Sequence, residues 1–223
     1  FLLITSQKAI LATDFRYLEQ AEEQAPAYDT LRVTDNMEDW FPKLLSGLKV
    51  KRLGFEVRHI TFGMYRQLSD ILNKAQSRLK LVPVDGLVES LRAIKEPEEI
   101  ELINKAVEMT DEAFEYIEDM IHTGMSEKEL AWEIEKFLRE KGSETIPFDA
   151  IVASGPNAAL PHAKPSSRRI HSGEPVVIDI GARCDGYCSD QSRTFCLGTP
   201  DETFDRVYNI VLEAQTAAID RIK

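Results

Sequence analysis

The stretch 176-VVIDIGARCDGYCSDQSRTF-195 decides the fold. It reads as two strands joined by a tight turn, and each strand carries an aspartate, Asp179 or Asp190, among apolar or small neighbours. A turn centred on Cys184-Asp185 sets the two directly opposite; a turn on Asp185-Gly186, a good type I′ pair, makes them diagonal neighbours. Both registers place them on one face, with Cβ atoms about 5 Å apart in the first case and about 7 Å or less in the second. Like charges so placed destabilise a sheet unless a cation or a shared proton compensates. A divalent metal is the economical answer; the bland alternative is a solvated ribbon with both carboxylates in water. Val176, Val177, Ile178 and Ile180 favour the first reading, since a strand apolar on both faces is a buried strand, and Ser192 and Thr194 add hydroxyls on the carboxylates' side.

Cys184 and Cys188 share parity with Asp190 and are rival ligands in an unbulged strand. With Cys196 they form C-x3-C-x7-C, which lacks the paired C-x2-C knuckles of structural zinc sites, so small buried residues are the simpler expectation. Three cysteines crowded into one hairpin suit a reducing compartment, the cytoplasm, better than a secreted disulfide framework. Upstream, IVASGPNAALPHAKPSSRRI reads as a strand leaving into a loop of turn formers that ends at His162. His162 alone is as well read as an exposed or capping histidine, and His59, His122 and His171 receive no role.

Working outward, residues 1 to about 88 alternate short apolar runs (FLLITSQKAILATD, KVKRLGFEV, RLKLVPVD) with helical spacing in NMEDWFPKLLSG and ITFGMYRQLSDILNKAQ, a small α/β domain. From Pro97 the apolar residues recur at steps of three and four as far as Ile121, predicting one long amphipathic helix, and Ser126 with Glu129 opens a second in a capping-box pattern that closes at Gly142. Strands follow in IPFDAIVAS, PVVIDIGAR and GYCSDQSRTFCLG, then a third helix capped at Thr199-Pro200-Asp201-Glu202, with Phe204, Val207, Val211, Ala214 and Ala218 on its expected buried side. The boundary falls between residues 88 and 96, giving domains 1–90 and 91–223. The chain begins at Phe1 inside a strand pattern and stops at Lys223 inside a helical one, which reads as a piece of something longer.

At 223 residues and 43% hydrophobic content the chain can bury a real core. A formal charge of -11, with Arg168-Arg169 the one basic cluster, argues against nucleic acid, and no apolar run approaches the roughly 18 residues of a membrane span.

Together, VVIDIGARCDGYCSDQSRTFCLG, FDAIVASGPNAALPHAKPS and ESLRAIKEPEEIELINKA resemble the Xaa-Pro aminopeptidases and prolidases, the proline-directed metallopeptidases of the pita-bread fold. ATDFRYLEQA and GFEVRHITFGMYRQL are similar to the creatinase-type N-terminal domain of the same proteins. The resemblance implies an α+β chain: part of a pita-bread catalytic domain, helices packed on an antiparallel sheet, preceded by a small α/β creatinase-like domain. It further implies that Asp179 binds one divalent metal, that Asp190 bridges two, and that His162 hydrogen-bonds substrate and the tetrahedral intermediate. Ser192, at a position often threonine in the family, supports the carboxylates through its hydroxyl. Manganese is favoured by the oxygen-rich donor set, with cobalt or zinc as alternatives. The implied partners are a proline-containing peptide and a second subunit in a homodimer. The family's remaining ligands, a histidine and two glutamates, lie downstream, and no histidine follows His171, so this chain alone is expected to bind metal weakly or not at all and to turn over little. Two other readings stay open: a noncatalytic peptide- or protein-binding module of the same fold, and a creatinase-like amidinohydrolase.

Overall fold

A computed structural model describes residues 1–48 and 50–222. The chain divides into two compact units, Phe1–Ile94 and Lys95 onward.

In the first unit, β1 (Leu2–Ile4) and β2 (Ala9–Thr13) form the antiparallel hairpin expected around Gln7-Lys8. After α1 (Leu18–Gln24), β3 (Asp29–Arg32) adds to β2 in parallel. Beyond α2 (Met37–Leu48), β4 (Arg52–Glu56) pairs in parallel with β5 (Lys80–Val84) across α3 (Phe62–Lys74), and α4 (Leu87–Arg92) follows. Met37, Phe41 and Leu45 of α2 pack against Leu68, Ile71 and Leu72 of α3, and Leu53 and Leu81 of the two strands close the cluster. This is the α/β pattern expected: strands too short to stand alone, sheltered by the apolar stripes of the helices that join them.

The second unit opens with α5 (Pro97–Met120), where Pro97 takes the first turn and Glu96 and Glu99 form a capping box. In α6 (Glu127–Glu140) the Ser126 Oγ accepts from the Glu129 amide while the Glu129 carboxylate accepts from the Ser126 amide. Both helices lie on one face of a three-stranded antiparallel sheet whose centre is β7 (Pro175–Ile180), flanked by β6 (Ile151–Ser154) and β10 (Gln191–Cys196). Phe114, Ile117, Leu130, Ile134 and Leu138 interlock with Val152, Val176, Ile178 and Ile180, so alternate residues of β7 are fully buried. The opposite face is not: Val177 and Asp179 are only half-buried. The expectation of a strand covered on both sides is therefore corrected, because α5 and α6 pack against the same side.

A second correction concerns α7 (Glu202–Ile219). Asp201 caps it as read from the sequence, its carboxylate accepting from the Phe204 amide at 2.7 Å. Yet it buries no residue: Val207 is 51% and Val211 61% exposed, and Phe204 merely stacks on Tyr208. Its apolar spacing is real, but no described element covers that face. No helix among the described residues is long and apolar enough to cross a membrane.

Candidate functional site

The hairpin turns at Asp185-Gly186, both with left-handed φ (45° and 85°), which a type I′ turn requires and glycine meets without strain. Its tip, β8 (Arg183–Cys184) and β9 (Tyr187–Cys188), and its base, β7 with β10, keep one register. Ser192 therefore lies across from Asp179, and Asp190 sits diagonally from it, the second of the two geometries left open by the sequence. Adjacent ladder pairs face opposite ways, so the pairing of Cys184 with Tyr187 and of Arg183 with Cys188 sends the two cysteines to different faces. Cys184 and Cys196 are half-buried, Cys188 is exposed and all three are free, so the buried-cysteine expectation fails: Cys184 and Cys188 stand on the ribbon tip, and Cys196 ends β10 at its opposite end.

Between tip and base the ladder is interrupted at Gly181-Ala182 and Ser189-Asp190. The cause is Ser189. Its amide donates to the Ala182 carbonyl at 3.0 Å, but the Ala182 amide donates to the Ser189 hydroxyl at 2.9 Å instead of to its carbonyl. Ser189 Oγ also bonds Thr110 Oγ1 of α5, whose own hydroxyl donates to the Ala106 carbonyl at 3.0 Å. One proton assignment satisfies the whole buried chain: Ala182 amide to Ser189, Ser189 to Thr110, Thr110 to Ala106. The break that precedes Asp190 is thus clasped to the helix layer.

Asp179 Oδ1 is buried and has no hydrogen-bond partner among the described residues. Burial pushes this carboxyl above its ordinary 3.8; the Ser192 hydroxyl pulls it down, the adjacent Asp190 charge pushes it up again, and His162 lowers it slightly through space. Half-buried Asp179 therefore has exposed Asp190 and Ser192 beside it on the open face, while His162, also exposed, acts on it only through space. An orphaned carboxylate oxygen next to a second carboxylate is a hard, anionic donor set, and it fits a divalent cation. No group of three or more His, Cys, Asp or Glu side chains suited to a metal occurs among the described residues.

One residue here escaped the sequence reading. Glu127, at the start of α6, is fully buried. Its Oε1 accepts from the Ser154 amide (2.7 Å), the Ser154 hydroxyl (2.8 Å) and Asn157 Nδ2 (3.0 Å). Its Oε2 accepts from the Ser166 amide (3.0 Å) and hydroxyl (2.6 Å). Burial pushes the carboxyl up, but the bonds from Ser166, Ser154 and Asn157 outweigh it and hold the group below 4.5. A depressed carboxyl stabilises the fold above that pH, and the contribution is lost as the pH falls through the folded value. As Glu127 stands beside a cap serine in a charged run, only the burial of its position could have singled it out.

A creatinase/prolidase N-terminal domain profile matches residues 1–94, and that of metallopeptidase family M24 matches residues 101–223. The chain is 37% identical to an uncharacterized peptidase of Bacillus subtilis, over 99% of this chain and 62% of that protein. The solved Xaa-Pro dipeptidase from Bacillus anthracis superposes with a TM-score of 0.88 at 40% identity, over 96% of this chain and 59% of the other. The X-Pro aminopeptidase from Thermotoga maritima does so at 0.85 and 35%, over 96% and 60%. Fold and profile together define a pita-bread architecture preceded by a creatinase-type N-terminal unit. The chain belongs to metallopeptidase family M24, and it spans about three fifths of the length of the relatives it matches.

Proposed function

We propose that this chain carries the N-terminal unit and part of the catalytic unit of a metal-dependent peptidase that cleaves the bond before proline, as an Xaa-Pro aminopeptidase or dipeptidase. The observation that carries the reading is the buried, unpartnered Asp179 oxygen beside Asp190. Asp179 and Asp190 would hold the divalent metals, manganese by preference, with Ser192 steadying the Asp179 carboxylate across the strand pair. The bound metals supply a Lewis acid and lower the pKa of a water. His162 donates a hydrogen bond to the carbonyl oxygen as it gains charge. Three free cysteines in one hairpin support a cytoplasmic setting, and the family resemblance supports a homodimer.

Hydrolysis of Xaa-Pro and Xaa-Ala peptides by the protein containing this chain, with creatine as control, tests the assignment. Manganese-dependent cleavage confined to Xaa-Pro is expected, and His162→Ala should lower kcat by roughly 100-fold with little change in KM, as for loss of one oxyanion donor. Binding of Xaa-Pro peptides without cleavage would favour the noncatalytic module, and turnover of creatine the amidinohydrolase.

A further inference from the structure

The loop that ends near His162 is stapled at both ends by one side chain. Ser154 closes β6, and Ser166 lies four residues past His162. Glu127 Oε1 holds the first and Glu127 Oε2 the second, while Asn157 Nδ2 spans both oxygens at 3.0 and 3.2 Å. The backbone runs alongside in support: the Lys128 amide donates to the Ser166 carbonyl (3.1 Å) and the Glu127 amide to that of Arg168 (3.0 Å). Among the described residues the carboxylate has no direct cation, but Arg168 reaches it through the Ser154 hydroxyl at 2.7 Å and is itself paired with Glu174 at 2.7 Å. A buried charge is tolerated only when its lone pairs are filled, and here they are filled by the two ends of one loop. Between the staples a short 3-10 turn over Gly155–Ala159 lies against β7, Ala163 is buried, and the Leu160 and Ala163 amides donate to the Asn157 and Leu160 carbonyls.

We infer that Glu127 is a positioning residue: it fixes the segment from Ser154 to Ser166 so that His162 is held beside the hairpin carboxylates. This rests on the reading of His162 as a substrate-facing donor, but its test does not depend on turnover.

Amide hydrogen exchange of the isotope-labelled chain, followed by NMR, compares wild type with Glu127→Gln. Glutamine has the same shape but turns an NH2 toward one set of donors, so one staple fails. Exchange at amides between Ser154 and Ser166 should quicken about 30-fold, while buried amides such as Ile134 and Ile178 keep their protection. The His162 ring signals should move toward those of an unstructured peptide. Unchanged loop exchange, or a uniform loss of protection across the unit, would overturn the inference. If Glu127→Gln does not fold, Ser166→Ala removes only a hydroxyl, and the same selective loosening, smaller in size, decides the matter. Activity that survives His162→Ala would sink the proposed function and leave the positioning result standing.

Discussion

Gly181→Ala is expected to lower the stability of the second unit by about 3 kcal/mol, the upper range for forcing an added methyl into a packed site. The register that pairs Asp179 with Ser192 carries Gly181 across from Asp190, where the ladder opens. The Ser189 carbonyl, displaced from the Ala182 amide by its own hydroxyl, is turned against Gly181, and an added Cβ would run into that backbone oxygen. Phe148 Cε1 and Pro147 Cγ, each 2.9 Å from the same point, close the other side. Relief requires the Ser189-Asp190 backbone to move, so the variant should lose metal affinity along with stability. Urea unfolding at neutral pH measures the first effect; a change under 1 kcal/mol would mean that the close approach is not a constraint.

The second large effect has the opposite sign for stability. Asp179 has its carboxyl raised above 3.8, chiefly by burial, with the Asp190 charge adding to it against the pull of Ser192. A raised carboxyl contributes stability below its unfolded pKa, and that contribution is lost as the pH rises through the folded value. Ionising Asp179 at neutral pH therefore carries a cost, and its Oδ1 finds no hydrogen bond among the described residues. Asp179→Asn removes the charge and should stabilise the metal-free chain by roughly 1 kcal/mol at pH 7, with the gain shrinking toward pH 4. The same change should abolish metal binding. Thermal melts of both proteins across that pH range check the sign; a less stable variant at pH 7 would show that the buried carboxylate is compensated without a cation.

Much of this was legible in the residues. The hairpin that carries Asp179 and Asp190, the Asp185-Gly186 pair and the Ser126–Glu129 box are local signals, and local chemistry decides them. What the sequence hid depends on long-range context. β3 is a four-residue polar-ended strand, Asp29–Arg32, that exists because β2 offers it an edge. The face of α7 that reads as core stands exposed, since periodicity shows which side could be buried and not what lies against it. Glu127 looks like one more surface acid until the loops that converge on it are seen. The break at Ser189 needed the partner hydroxyl of Thr110, 79 residues away.

The account stands on Asp179 and Asp190 sharing one cation-seeking pocket, and Mn2+ titration of the isotope-labelled chain, followed by paramagnetic broadening of its amide signals, tests that most directly. Millimolar Mn2+ should broaden residues 178–180 and 189–192 before any others, and the double variant Asp179→Asn, Asp190→Asn should lose that local effect while keeping its fold. Equal broadening at those residues in the double variant, or broadening centred elsewhere on the chain, would contradict the account.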